Sequence, residues 1–456
     1  MKQNIFRRFW DTFKGNKFNQ AFLWGNTYTT YDNNNRSYLT EGYNVNSIVY
    51  SVINQQSSKT SSIPYYIKEV NDVKAKDKLN RLYKATNNNL SPQQYIKSDL
   101  LKKEAYKEDE LKIPLENPNP NQTWSEFHAL FKTFLVMTGN VYLYMLAPKD
   151  GINKGQPIAI YLLPSQDVQI VVKDKVSFLG IDNPISHYIL TQGRQYIEFE
   201  CENVIHIKYP NPNYDESGEH LYGQSRLSAV YKNILSSNKG TDLNIKTLQN
   251  GGAFGLIHGK GQPITETVAK SLKERLQEMN NSPEDLAKIA GISSEIGFTR
   301  LSLTAAELKP FDYLDYDQKQ ICNALGWSDK LLNNSESSDY GGTVSQYRRQ
   351  VITDNILPDL KLLADALNTY FLPRFKGYQN TEIIYDISEL PEMQIDTKSL
   401  VEWASILLDR GVINRNELRE MVNFNKSDDP NMEINTVVND LMILDEAIEN
   451  TFAING

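Results

Sequence analysis

The sequence predicts an α+β fold in which a mixed lobe of helix and strand carries a long helix set apart from it. Between 141 and 209 the runs IAIYLLP, VQIVV, HYIL, YIEFE and VIHIKY alternate apolar and polar residues between turn residues, the period of a small, mostly antiparallel sheet. From Ser225 to about Asn250 the pattern is helical instead, and Gly251 and Gly252 stop it. At 456 residues the chain exceeds one compact domain, which leaves several packed lobes or one elongated multi-part subunit.

The folded part begins near Tyr43, after a polar stretch rich in Asn and Tyr. Asn46 can cap a helix that places Ile48, Val49, Val52 and Ile53 on one face, and SIPYYIKEV reads as a strand. Residues 71–112, charged and repetitive in Lys and Leu, read as a solvated helical excursion. In LENPNPNQTWSEFHALFKTFLVMTGNVYLYML a Pro/Asn turn precedes Thr123, which with Glu126 makes a capping box. The apolar helix it opens ends near Gly139, and a strand follows at once.

In the helix 225–250 the apolar positions Leu227, Val230, Tyr231, Ile234, Leu235, Leu243 and Leu248 are interrupted by SSNKGTD. Its middle therefore has no broad core face within its own chain and needs neighbours of its own kind. After it, AFGLIHG reads as a strand, Thr265 starts a helix, and AKIAGI with IGFTRLSL reads as a hairpin-like pair. LDYDQKQICNALGW is a second helix and the polar segment Ser328–Gly342 a loop. A third helix begins near Thr343, aligns Val344, Tyr347, Val351, Leu360, Leu363, Leu367 and Phe371, and is expected to kink at Pro358. The strand TEIIYDI and acidic helices at 396–411, 414–423 and 436–452 complete the chain.

Bulk chemistry excludes several classes. Cys201 and Cys322 are too few and too far apart for a disulfide framework or a metal cluster. MKQNIFRRFWDTFKGNKF lacks the apolar core of a secretory signal, and no run approaches the ~20 apolar residues that span a bilayer. Net charge is −8 and regional: residues 379–456 hold 16 Asp and Glu against 5 Lys and Arg. A static DNA binder shows a basic face, whereas a conduit through which DNA slides is served by few phosphate contacts.

Candidate chemistry is sparse. The five histidines at 128, 187, 206, 220 and 258 have no ligand spacing, and His206 in VIHIKY reads as a hydrogen-bonded sheet residue. FGLIHGKGQ places Phe254 and Gly261 where a phosphate loop needs Gly and Ser or Thr, so no nucleotide site is supported. Asp312, Asp315 and Asp317 can hold a divalent ion or simply favour a helix N-terminus. With no nucleophile constellation either, no enzyme and no cofactor are expected. The 15-residue loop 328–342 joins two helices that a short turn would serve, and long polar loops at such places carry function.

The order of these parts resembles the bacteriophage portal protein family, the rings of about twelve subunits at one vertex of a tailed-phage capsid. The resemblance runs from about 44 to 424. It is carried by NVNSIVYSVINQQSSKTSSIPYYI, NPNPNQTWSEFHALFKTFLVMTGNVYLYML with its G-N-x-Y strand, LLPSQDVQI, ENVIHIKY, YGQSRLSAVYKNI, ILPDLKLLADALNTYFLPRF and LLDRGVINRNELREMVNF. Where the family often has Val-Pro after the second stem helix, this chain has Gly326, Trp327 and Ser328.

The resemblance implies a portal-like elongated subunit with an α+β wing, long stem helices, a small α/β clip and a helical C-terminal crown. By position, 1–40 is an N-terminal arm, 41–224 the first part of the wing, 225–250 a stem helix and 251–309 the clip. The second stem helix is 310–325, the tunnel loop 326–343, the kinked helix and wing return strand 344–395, and the crown 396–456. Lys330, Asn333, Asn334, Ser335, Glu336, Ser337, Ser338, Asp339 and Tyr340 are the implied tunnel-loop residues facing DNA. Lys260, Lys270, Lys273 and Arg275 are the implied clip contacts with terminase or adaptor. The implied partners are further copies of the chain in a ring, the terminase large subunit, the major capsid protein and scaffold (through Arg7, Arg8, Lys14 and Lys17), the head-to-tail adaptor, and double-stranded DNA held transiently and without sequence preference. The implied location is the capsid vertex of the virion, after assembly in the host cytoplasm, with no membrane contact. A head-to-tail adaptor or other virion ring is the alternative, and a DNA-processing enzyme would require a metal or nucleotide motif.

Overall fold

The fold starts earlier than the expected Tyr43, because a helical turn (Asn35–Ser37) and a π helix (Tyr38–Tyr43) already pack on the core through Tyr38 and Leu39. Asn46 opens the first long helix as its spacing predicts, its side chain accepting from the backbone N–H of Ile48 and Val49, both at 3.1 Å. The computed structural model describes residues 35–86, 90–173, 183–213, 218–249, 310–332, 341–387, 390–393, 397–421 and 424–433. It also describes the short segments 255–259, 296–300, 436–437 and 442–443, and the positions Thr267, Lys270 and Glu274. Helix α1 (Ser47–Ser61) buries Val49, Val52 and Ile53. Strand β1 (Tyr65–Val70) follows, then α2 (Val73–Thr86) and α3 (Pro92–Ala105).

The expected helical excursion 71–112 ends differently, because YKEDEL forms β2 (Tyr106–Leu111) and pairs antiparallel with β1. Its charges are those of a sheet edge rather than of a helix face. Lys107 pairs with Glu69 at 2.8 Å and Lys68 with Glu110 at 3.6 Å across the strands.

Helix α4 (Trp124–Thr138) has the predicted capping box: Glu126 N–H donates to Thr123 Oγ1, and Thr123 N–H donates back to Glu126 Oε2 at 2.9 Å. It stops at Gly139 with φ +74°, and β3 (Asn140–Leu146) begins on the next residue. The strands β4 (Ala159–Leu163), β5 (Val168–Val172), β6 (Ile185–Gln192), β7 (Gln195–Glu200) and β8 (Val204–Lys208) then form two three-stranded sheets, β4-β3-β8 and β5-β6-β7, where one sheet was expected. Alternation locates strands but does not say which of them pair. The two sheets share one core cluster, with Tyr142, Leu163 and Val204 from the first against Ile170, Tyr188 and Leu190 from the second.

Helix α5 (Tyr231–Gln249) begins later than the expected Ser225, after a tight turn at Ser228–Val230. Strand β9 (Gly255–Gly259) pairs with β10 (Ile296–Arg300), so IGFTR lies against GLIHG. The AKIAGI segment expected as its partner lies outside the described residues. Helix α6 (Pro310–Ala324) returns, and α7 (Gly341–Val351) runs through a wide π turn (Ile352–Ile356) into α8 (Leu357–Ala366). The irregularity expected at Pro358 thus falls one turn earlier. Pro358 stands in the first turn of α8, which directly follows the π turn. Strand β11 (Thr381–Tyr385) pairs with β1 on the side opposite β2.

Helices α9 (Thr397–Asp409) and α10 (Arg415–Met421) form as expected. They pack on α3 around Ile96, Ala404, Ile413 and Met421, with Lys103 paired to Glu420 at 2.9 Å. The third acidic helix, 436–452, is not observed in its described part. Thr436–Val437 pairs antiparallel with Met442–Ile443 as β12 and β13. Thr, Val and Ile favour strand, and the sequence between the two strands holds Asn439 and Asp440, which favour a turn.

Candidate functional site: the paired helices α5 and α6 and their root

Helices α5 and α6 pack on each other, and small residues let them approach. A Cβ on Gly240 would stand 3.3 Å from Leu314, tighter than ordinary contact. Asn233 donates to the buried Asp317 carboxylate at 2.8 Å, so this member of the predicted acidic trio serves the helix pair. Among the described residues no group of three acidic, His or Cys side chains comes together to hold a metal ion. Nearer the wing, Asn46 Nδ2 donates to Asn238 Oδ1 at 2.9 Å and Asn238 Nδ2 donates to the Glu41 carbonyl at 2.8 Å, tying α5 to the start of α1. Away from the root the pair is less covered. Leu243 is 44% exposed, Ile245 48% and Tyr316 58%.

The segment that launches α5 is locked to β3 by a backbone-to-backbone fit. A Cβ on Gly223 would lie 2.0 Å from the Gly139 carbonyl oxygen, and one on Gly139 would lie 2.5 Å from the Gln224 backbone. Asn140 sits at the centre of this junction. Its amide donates to the carbonyls of Thr138 (2.9 Å) and Gly223 (3.1 Å), and its Oδ1 accepts from Gly223 N–H at 2.6 Å. Ser225 Oγ donates to the Met137 carbonyl at 2.6 Å. These are the G-N-x-Y and Y-G-Q-S residues of the sequence, joined in space.

His206 completes the junction. Its Nε2 lies 3.0 Å from Asn140 Oδ1, an acceptor, so this nitrogen carries the proton. The ring stacks on Tyr142 at 4.3 Å between centroids. Burial, with Lys208 nearby, lowers the His206 pKa to about 3, and burial lowers that of His128 to about 4. Both folded values lie below the unfolded 6.5, so the unfolded chain gains protons first on acidification. Stability present above pH 6.5 is lost as pH falls toward 4, by about 3 kcal/mol for His128 and by more for His206. Melting His206→Gln beside the parent at pH 7 and pH 4.5 checks this: the variant keeps a donor for Asn140 and is expected to lose less on acidification.

Where α5 and α6 meet the rest of the fold, six chain segments come together on one polar cluster that sequence reasoning missed. Lys132 of α4, fully buried, donates to Asp359 Oδ2 of α8 at 2.5 Å and to Asn355 Oδ1 of the π turn at 3.1 Å. Tyr209, just past β8, donates to the same Asp359 oxygen at 2.7 Å. Arg226, ahead of α5, donates to Asn355 Oδ1 at 2.5 Å and to Asp359 Oδ1 at 3.4 Å, with its guanidinium 4.6 Å from the Tyr209 ring centroid. Asn355 Nδ2 donates to the carbonyls of Leu325 (2.8 Å) and Gly326 (3.1 Å) at the end of α6. Gln56 of α1 donates to the Leu325 carbonyl as well, at 2.9 Å. Burial pushes the Lys132 ammonium down to about 8 despite Asp359, and Arg226 pushes in the same direction as burial. The signal in the sequence was Lys132 itself, a charge inside the apolar run FHALFKTFLVM.

Of the residues singled out for DNA, Lys330 is described, exposed in a tight turn at Asp329–Leu331 with its ammonium 5.1 Å from the Tyr347 ring centroid. Asn333, Asn334, Ser335, Glu336, Ser337, Ser338, Asp339 and Tyr340 lie outside the described residues. Of the clip residues, Lys270 is helical and exposed, while Lys260, Lys273 and Arg275 lie outside. No described helix is long and apolar enough to cross a membrane.

A sequence profile described as phage portal protein matches residues 97–423, which include α5, α6 and the strands from β2 to β11 but not α1, β1 or α2. The portal protein of Escherichia phage T5 is 24% identical over 322 residues, covering 69% of this chain and 70% of its own length. A chain from the neck of a native gene transfer agent particle, computed with C12 symmetry, shares the fold with a TM-score of 0.55 at 15% identity, over 86% of this chain and 94% of that one. A chain from the neck of the empty particle, computed with C6 symmetry, gives a TM-score of 0.56 at 16% identity, over 89% and 97%.

Proposed function

The chain belongs to the phage portal protein family, and from that premise we propose that about twelve copies close into the ring at one capsid vertex, the number that the C12 neck suggests. It is a structural protein of the virion, and the ring is the channel for packaging and ejecting double-stranded DNA. The observation that carries this reading is the family match over residues 97–423. Exposed apolar residues on the stem pair support it, because Leu243, Ile245 and Tyr316 stand where neighbouring stems would cover them.

In this reading the portal's part is passive. A separate ATP-driven terminase docks on the clip, with Lys260, Lys270, Lys273 and Arg275 as contacts, and drives the DNA. The head-to-tail adaptor takes the clip afterwards. The arm at 1–40 meets the major capsid protein and scaffold, and assembly takes place in the host cytoplasm. Residues 326–343 form the tunnel loop, with Lys330 and the polar run from Asn333 to Tyr340 facing DNA. The acidic balance suits a wall that must not hold phosphate. Deleting 333–341 tests the loop: rings of unchanged mass are expected, with DNA packaging or retention failing. Normal packaging by that variant contradicts the assignment.

A further inference from the structure

The chain entering the segment assigned as the tunnel loop is tied to a side chain on the helix that leaves it. We propose that Asn355 is a positioning residue that locks the two roots of this loop and the start of the first stem helix into one body, so that displacement of either root is passed to the other and to α5. This rests on the portal reading and adds to it a device for registering the loop.

The chain leaves the wing at Arg226, returns at Leu325 and Gly326, and continues beyond the loop through α7 to Asn355. At Asn355 all three points meet. A side-chain amide has two donor hydrogens and an oxygen with two acceptor sites, and here every one is used. The nitrogen serves Leu325 and Gly326, the incoming root. The oxygen accepts from Arg226, ahead of the stem, and from Lys132, the wing helix. No other neutral side chain of this size can donate twice and accept twice at once.

The surroundings hold the amide in that orientation. Asn355 lies in the π turn, where one extra residue per turn shifts its side chain relative to a regular helix, and such turns recur at functional sites. Lys132 and Arg226 both reach on to Asp359, so the two cations that bind the amide oxygen are fixed by one carboxylate. Gly326 has φ +65°, and a Cβ there would stand 3.1 Å from Asn355 Nδ2, which keeps this backbone against the amide. Lys330 over the Tyr347 ring is a second tie between the roots. A side chain that served only as core filling would not need donors matched to the entry of the loop and acceptors matched to Arg226 and Lys132.

The test is amide hydrogen exchange on full-length rings of the parent, Asn355→Leu and Arg226→Lys. Asn355→Leu keeps the branched shape of the side chain without its hydrogen bonds. Arg226→Lys keeps the charge at a partly exposed position and loses the planar fork, so it serves even if Asn355→Leu does not fold. Exchange is expected to rise at least tenfold, together, at 327–332 and 341–351 in either variant that forms rings, while β3 and β8 stay protected and ring mass is unchanged. DNA packaging by those rings is expected to fall at least tenfold. Faster exchange at one root alone, an equal rise through β3 and β8, or no change would overturn the proposal. A parent chain that forms no ring counts instead against the portal reading, so the two failures are distinguishable.

Discussion

A Gly223→Ala chain is expected to lose the junction between β3 and the segment that launches α5 and to be recovered, if at all, as unfolded or aggregated material. The new methyl would stand 2.0 Å from the Gly139 carbonyl oxygen and 2.9 Å from Lys208 Cβ. The obstacle is backbone rather than a flexible side-chain tip, so relief requires the Tyr222–Ser225 segment to part from β3. That separation breaks both bonds between Asn140 and Gly223 and the bond from Ser225 to Met137. Overpacking and the loss of these buried hydrogen bonds together cost on the order of 4 kcal/mol or more, a large part of a domain's stability. Gly42→Ala is the control. Its methyl would meet Leu227 at an ordinary 3.6 Å, and a change within about 1 kcal/mol is expected by denaturant unfolding.

Asp359→Ala is expected to cost about 3–5 kcal/mol, because it leaves Lys132 buried without its carboxylate. The lysine then sheds its proton rather than remain charged, and Tyr209 and Arg226 lose a partner at the same time. The pair Lys132→Met with Asp359→Leu removes both charges and is expected to recover most of the loss. A pH signature separates this account from simple loss of packing. The folded Lys132 value of about 8 lies below the unfolded 10.5, so the native chain refuses a proton that the unfolded chain takes. Stability therefore rises with pH between 8 and 10.5, by about 3 kcal/mol, and is flat below that window. Lys132→Met should lack this rise; an identical slope in parent and variant means that the lysine is charged in the fold.

Where the fold depends on neighbours in sequence, the residues were legible. Asn46 capping α1, the Thr123 and Glu126 box, and the stop at Gly139 are each decided within one helical turn. What depends on distant pairing was not. YKEDEL is as charged as a solvated helix and becomes a strand only because β1 presents an edge to it. The runs between 141 and 209 were visible as strands, yet their division into two sheets follows from which faces share the Tyr142 core. The stem root joins residues 132, 209, 226, 355 and 359, and no local spacing connects them. Only the charge of Lys132 inside an apolar face marked its place. The motifs G-N-x-Y and Y-G-Q-S were recognisable as markers, while their contact with one another required the fold.

Leu325 and Gly326 at the end of α6 meet Asn355 beyond α7. The central claim is the ring. Native mass measurement with imaging of the purified full-length chain addresses it most directly. A closed ring near twelve times the chain mass of 52.2 kDa is expected. Leu243→Glu with Ile245→Glu is expected to give folded chains that no longer close, since these exposed stem residues would then set like charges against a neighbour. A parent chain that stays monomeric at high concentration contradicts the central claim.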